Sequence, residues 1–382
     1  MKVCMMDFGT IDYSVAIANA LSKHCEIDLY CSKYHLEQKD SSILNVLKGK
    51  ENVKTFCYGK YRIRNVRNIL VNYKLCKNIK NRHYDVIHFQ EYGTPWMFLF
   101  WRICGKCPLV MTVHDPYQHQ DLPIIQKVYQ DFMQRVFVNR AEKIIVHGQL
   151  LKKHILERYP RKTAHNVHVL HHGDFSIMKH WNTMNKVTDS KQKIILFFGA
   201  VRRNKGLEYL LKAEPIIRKS LKDFKIIIAG KCDEWHRYQK FITDDAQVTA
   251  INNYIPNEEL PKYFNEASIV VLPYISATQS GIVPLAFTFG KPVIATSVGA
   301  IPEIVENGKT GILVEPRNEK ALAYAIIKLL LDDDLREKMS RNAIKCCNER
   351  LSWDSIARKT VKIYDEVIQV KHYHTNICKL IS

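Results

Sequence analysis

The chain has 382 residues, 46% of them hydrophobic, with only 15 Gly and 13 Pro; this excludes collagen-like and disordered classes and suits two domains of roughly 190 residues. The formal charge of +19 is uneven: residues 1–190 carry 28 basic against 16 acidic groups, and 13 of the 16 His precede residue 191. A basic N-terminal half faces something acidic, either phosphates or an anionic membrane.

No run of 18 apolar residues occurs, so no bilayer span is expected. The eleven Cys lack disulfide or paired zinc spacing, Cys104 and Cys107 being a lone C-x-x-C, and no basic–apolar signal segment opens the chain. These features predict cytosolic thiols and a cytoplasmic protein.

In chain order, Lys2–Asp7 reads as a strand broken at Gly9, and 11–23 as a helix. Apolar runs at 26–31, 53–57, 85–89, 108–113, 143–146 and 167–170 predict further strands, with helical periodicity at 65–80, 121–139 and 148–158. A polar segment follows. Strands are predicted again at 194–199, 224–229, 268–272, 292–295 and 311–314, alternating with helices at 205–218, 258–265, 280–288 and 318–331. From Asp333 onward only helices are expected; Ile356, Ile363, Tyr364 and Val367 mark one apolar side of a final helix. Short apolar strands alternating with helices predict an α/β fold of two Rossmann-like, doubly wound domains with a cleft between them. The domains are placed at 1–180 and 193–352, with a linker at 181–192 and a tail at 353–382. Ligands of such sheets sit beyond the carboxyl ends of the strands.

Several loops at such ends carry chemistry. In FFGAVRRNKG (197–206) a buried strand ends at Gly199, and Arg202, Arg203 and Lys205 arrive just before a helix. A relaxed turn, cations and a helix start suit a diphosphate; Arg202 and Lys205 are the candidates, with Arg203 exposed. The segment 273–316 supplies two small-residue loops. Thr278, Gln279, Ser280 and Gly281 precede one helix, and Gly299 and Glu303 flank the start of the next. In the first half, His114 and Asp115 end a strand before Pro116, Gln90 and Glu91 end the preceding one, and Gly9 frees the first loop for an acceptor or phosphate. Glu91 is a candidate base or sugar-hydroxyl acceptor.

A metal site is not expected. His147, His165, His168, His171 and His172 lack a completing Cys or Asp pair, a strand at 167–170 would spread them, and no D-x-D motif lies in a cleft loop. Residues 48–82 hold eleven Lys or Arg against Glu51 alone. The helix within this stretch mixes basic groups with Val66, Ile69, Leu70, Tyr73 and Cys76, the composition of an interfacial surface. A solvated face is the alternative, and no nucleic-acid-binding motif is present.

FFGAVRRNKG, the block SGIVPLAFTFGKPVIATSVGAIPEIVENGKTGILVEP, the HDP loop and the terminal W-D helix together resemble the large retaining GT-B glycosyltransferase family 4 (glycosyl transferases group 1). The resemblance covers nearly the whole chain and is most specific over 194–316. It implies donor nucleotide-sugar binding by the C-terminal domain, acceptor binding by the N-terminal one, and a last helix that returns to the N-terminal domain. Carried over, Arg202 and Lys205 would hold the donor diphosphate and Gly199 would end the strand beneath it. The backbone of Gly299, Ala300 and Ile301 would close the donor site, with Glu303 at the helix start. His114 would approach the transferred sugar, and Gly9 matches the flexible first loop.

One departure stands out. The family's pattern carries two glutamates eight apart, and those places are Ala277 and Leu285. Thr278, Gln279 and Ser280 are left to meet the donor sugar, and Leu285 cannot hydrogen-bond a ribose. The resemblance implies metal-independent, retaining hexosyl transfer from a UDP- or GDP-type sugar. The acceptor would be a hydroxyl of a polyprenyl-diphosphate-linked or growing surface glycan, reached at the inner face of the plasma membrane. A non-catalytic partner subunit and a sugar-nucleotide epimerase are the alternatives.

Overall fold

The computed structural model describes all residues except 39–40, 62–64, 105–106, 117–123, 182–191, 245 and 382. Two units emerge: Met1–Gly173 together with Trp353–Ser382, and Asp174–Ser352. Each is built on an all-parallel sheet.

The first sheet contains β1 (Lys2–Asp7), β2 (Glu26–Ser32), β3 (Val53–Tyr58), β4 (Val86–Gln90), β5 (Leu109–Thr112), β6 (Lys143–Val146) and β7 (Val167–Val169), in the order β3-β2-β1-β4-β5-β6-β7. β4, β5 and β6 are buried at every position, as strands covered on both faces require. The order reverses between β1 and β4, so their carboxyl ends diverge and leave a crevice. The final helix, Trp353–Ile381, packs against the helix Ile11–Leu21 and β4. It buries Ile356, Ile363, Tyr364 and Val367, the side its periodicity predicts. Tyr364 Oη lies 2.6 Å from His88 Nδ1, and Thr112 Oγ1 lies 2.8 Å from the other ring nitrogen.

The second sheet contains β8 (Lys193–Phe198), β9 (Phe224–Ala229), β10 (Val248–Ile251), β11 (Ile269–Leu272), β12 (Val293–Thr296) and β13 (Gly311–Val314), in the order β10-β9-β8-β11-β12-β13. Its reversal falls between β8 and β11. β10 escapes the sequence pattern because it is a four-residue edge strand with one buried position.

Residues 174–181, placed by sequence with the first domain and at the edge of the linker, belong to the second unit. Phe175 N–H donates to Thr288 Oγ1 at 2.9 Å and Asp174 N–H to Leu351 O at 2.9 Å. The turn Ser176–Trp181 packs on the helix Leu260–Glu266. The remainder of the expected linker, 182–191, lies outside the described residues. No described helix is long and apolar enough to cross a membrane.

Candidate active site

At the β8/β11 reversal, the turn Gly199–Gly206 leaves one strand and the loop Pro273–Gly281 leaves the other. Gly206 has φ +63°, and a Cβ there would stand 2.0 Å from Pro273 O; only glycine lets the two backbones close. Ile275 N–H donates to Asn204 O at 2.8 Å, and Asn204 Nδ2 donates to Ser276 O at 3.2 Å. The cationic turn is thereby clamped to the hydroxyl-rich loop.

The three cations have different fates. Arg203 grips Glu234 through Nε at 3.1 Å and NH2 at 2.9 Å. Lys205 Nζ sits 3.7 Å from the centroid of buried Tyr274, over its ring face. Among the described residues, neither Arg202 nor Lys205 has a carboxylate partner. Two uncompensated positive charges at a parallel-sheet reversal attract an anion.

Gly299, at φ +57°, would place a Cβ 2.0 Å from Ala277 O, so the second loop also closes by backbone contact. Ala300 N–H donates to Thr278 O at 3.0 Å and Ile301 N–H to Val298 O at 3.3 Å. The expectation that backbone groups at Ala300 and Ile301 close on a donor is corrected here: both residues are buried, and both amides are spent locking the loop. Ser280 is also buried, its Oγ accepting from Ile282 N–H at 3.3 Å to open the helix Ile282–Thr288 behind Gly281.

Gln279 differs, because its Oε1 is buried with no hydrogen-bond partner in the described structure, an acceptor that a ligand hydroxyl would satisfy. Thr278 and Glu303 are half-buried on the same rim; the Glu303 carbonyl accepts from Arg350 at 2.7 Å. Gly199 N–H joins Ala229 O at 2.9 Å, against Gly230, a position that sequence reasoning left unassigned. Leu285 is buried.

In the first unit, β5 delivers His114, whose N–H donates to Glu91 Oε1 at 2.7 Å. The His114 ring is oriented by His147, which sequence reasoning weighed only as a metal ligand. His147 Nδ1 meets Leu170 O at 2.9 Å, and its Nε2 meets His114 Nδ1 at 2.9 Å. A carbonyl only accepts, so His147 carries its proton on Nδ1; burial pushes its pKa down to about 3, so Nε2 is a bare acceptor. His114 must then donate from Nδ1. The Tyr13 ring stands edge-on to His114 at 4.7 Å and contacts Trp353 at 5.1 Å. A Cβ on Gly173 would meet the Trp353 ring at 2.3 Å.

Gln90, expected on the rim, is fully buried at the end of β4. Glu91 makes the turn outward, at φ +72°, and burial pushes its carboxyl up to about 8 against the hydrogen bonds from the His114 and Asp115 amides. Glu91, Asp115 and Phe8 line a cavity of about 540 Å³ beside the β1/β4 reversal. Gly9 follows Phe8 at φ +142°, with the His35 ring 3.6 Å from where its Cβ would lie. Among the described residues no three His, Cys, Asp or Glu side chains form a group able to hold a metal ion.

Residues 12–173 match the model described as Glycosyltransferase Family 4, and residues 181–346 match that of Glycosyl transferases group 1. The chain belongs to this glycosyltransferase family. A curated relative, an uncharacterized glycosyltransferase of Methanocaldococcus jannaschii, is 27% identical over 303 residues, covering 74% of this chain and 75% of the relative. A Rickettsia africae glycosyltransferase structure aligns with TM-score 0.72 at 18% identity, covering 96% and 98% of the two chains. Anabaena HepE, solved in complex with UDP and glucose, aligns with TM-score 0.71 at 17% identity, covering 96% and 100%. These structures share the fold. Within the glycosyltransferase, the free cations lie in the unit matched by the group 1 model, and the cavity lies in the other.

Proposed function

We propose that the glycosyltransferase moves a hexose, with retention at the anomeric carbon, from a UDP- or GDP-type sugar to a hydroxyl of a lipid-linked or growing surface glycan. The observation carrying this reading is the pair of uncompensated cations, Arg202 and Lys205, at the β8/β11 reversal. The bond from the anomeric carbon to the diphosphate oxygen breaks while the bond to the acceptor oxygen forms on the same face. The acceptor proton passes to the departing phosphate oxygen. Arg202 and Lys205 offset the charge that builds on that phosphate. The scheme needs no protein carboxylate at Ala277, and no metal ion enters it. HepE, of the same fold, has been solved with UDP and glucose, in keeping with a UDP-type donor.

Calorimetry with UDP-, GDP- and ADP-sugars, with and without EDTA, tests the donor site. Micromolar, EDTA-insensitive binding of one member is expected, and it should vanish when Arg202 and Lys205 are both Ala. Flat traces across the panel would instead favour a non-catalytic partner subunit.

An anionic membrane, at the inner face of the plasma membrane, is the proposed meeting place with the acceptor. The helix Arg67–Asn81 turns Asn68, Asn72, Leu75, Cys76 and Ile79 inward and leaves Val66, Ile69, Leu70 and Tyr73 exposed. Phe98 and Leu99 of the adjoining helix Pro95–Phe100 are also exposed. Lys74, Lys77 and Lys80 are exposed on the same acid-free helix, whereas Arg62 and Arg64 lie outside the described residues. Such a surface suits anionic lipid. Changing the three lysines to Gln should weaken binding to phosphatidylglycerol vesicles about a hundredfold, at ~1 kcal/mol per charge. Unchanged co-sedimentation would remove the membrane from the reading.

A further inference from the structure

Two thiols of the first unit stand against each other at the outer edge of its sheet. Cys31 and Cys57 are register partners on the parallel strands β2 and β3. Side chains at paired positions point to one face of a sheet, and the two sulfurs lie 3.9 Å apart. Neighbouring strands run ~4.8 Å apart, inside the ~4.4–6.8 Å that separates the Cα atoms of a disulfide. Bonding requires the sulfurs to approach by about 2 Å more. β3 can supply that movement because it ends the strand order, and among the described strands none pairs with its outer side.

The two sulfurs differ in access. Cys57 is the one exposed cysteine among those described, whereas Cys31 is fully buried. Burial, reinforced by Cys57 and Asp7, pushes the Cys31 thiol up and keeps its proton in place. An oxidant arriving from solvent therefore meets Cys57 first, with Cys31 directly behind it. That is the arrangement of an attacked thiol backed by a resolving one. β3 also leads straight into Tyr58, Gly59, Lys60 and Tyr61, which line the cavity, so a bond at Cys57 would fasten this part of the cavity wall to β2.

We propose that Cys31 and Cys57 form a reversible disulfide when the protein meets a peroxide, with Cys57 attacked by the oxidant and Cys31 resolving it. The Cys57 sulfur takes one peroxide oxygen as the O–O bond breaks; the other oxygen leaves as water or an alcohol, and Cys57 becomes a sulfenic acid. The Cys31 sulfur then displaces that hydroxyl. The S–S bond forms, the S–O bond breaks, and the Cys31 proton leaves with the hydroxyl as water. Two electrons pass from the two thiols to the peroxide, and a thiol reductant returns them. The inference is independent of the sugar-transfer reading, which involves neither thiol.

The test is peptide mapping of the reduced full-length protein after brief exposure to hydrogen peroxide, with N-ethylmaleimide in denaturant as the quench. Trypsin should release HCEIDLYCSK (24–33) joined to TFCYGK (55–60), and dithiothreitol should separate them. Because the first peptide also contains Cys25, the link must survive in Cys25→Ser and be lost in Cys31→Ser. In Cys31→Ser, Cys57 should instead accumulate as a sulfenic acid trapped by dimedone. Cys57→Ser, at an exposed position, is the second variant should Cys31→Ser fail to fold by circular dichroism; there Cys31 should stay reduced and take up maleimide. Four results would overturn the proposal: Cys57 untouched by peroxide, Cys57 oxidised without a linked peptide, a link that persists in Cys31→Ser, or a link that joins two copies of the chain on a non-reducing gel.

Discussion

Replacing Arg202 and Lys205 together by Ala is expected to lower kcat/KM for sugar transfer by at least ~10³-fold, since one preorganised charge-stabilising donor is commonly worth ~10²–10³. The loss should fall mainly on kcat, because the phosphate gains charge as the sugar leaves and the cations act most strongly then. Arg203→Ala is the internal control. Arg203 belongs to the same turn, Gly199–Gly206, yet its guanidinium is committed to Glu234 on the surface. A surface ion pair of this kind carries little energy and stands apart from the anion seat, so this variant should stay within about threefold of wild type. If Arg203→Ala proved as damaging as Arg202→Ala, the assignment of the anion seat would be wrong. Both variants can be compared by initial rates over a donor concentration series.

Acidification from pH 7 to pH 5 should weaken the first unit through His88 and His147. Each is 1% exposed, and burial pushes each pKa down to about 3. In the unfolded chain a histidine takes up its proton near pH 6.5. Below that pH the unfolded state binds more protons than the folded one, so stability falls as pH falls toward 3. Each ring should cost about 2 kcal/mol at pH 5. His172, pushed down chiefly by burial, acts in the same direction.

Glu91 acts the other way. With its folded pKa raised to about 8, its contribution is fully present below about pH 4.5 and is lost as pH rises toward 8. Urea unfolding of the first unit at pH 5, 6 and 7 separates the two effects. His88→Gln should flatten the acid slope by about 2 kcal/mol, whatever it does to stability at pH 7, and Glu91→Gln should steepen it. Identical slopes in all three proteins would mean that these groups titrate alike in the folded and unfolded states.

Most of the strands can be read from the sequence because parallel strands buried on both faces are short unbroken apolar runs, as in β8 and β9. β10 is the exception that proves informative about cause: at a sheet edge its half-exposed residues need no such run. The donor-side rim is legible for a related reason. Its residues lie in two contiguous segments, 199–206 and 273–303, and its glycines mark the close approaches at Pro273 O and Ala277 O. Which backbone amides remain open is a three-dimensional matter, and it moved Ala300 and Ile301 from ligand contact to loop closure. The cavity of the first unit is illegible by comparison. Phe8, Tyr61, Trp96 and Tyr129 come from four separate segments, and the β3-β2-β1-β4-β5 order gathers them. The outward stripe on Arg67–Asn81 agrees with the interfacial composition read from sequence, and its physical basis is in the fold: Asn68 and Asn72 can be buried because their side chains bond to nearby backbone and to Thr94, which frees the apolar positions to face out.

The first unit takes its last helix from the far end of the chain, with Asp174–Ser352 inserted between. During synthesis, β1 to β7 leave the ribosome first, yet the helix that covers Tyr13 and His88 is translated after residue 352. The inserted unit has all its residues earlier and can close while the first still lacks a wall, reversing the usual N-terminal-first order of domain maturation. Through that interval the apolar surface awaiting Ile356, Ile363 and Val367 stays open to chaperones. A chain stopped at Ser352 would therefore release a finished second unit attached to an uncovered first one.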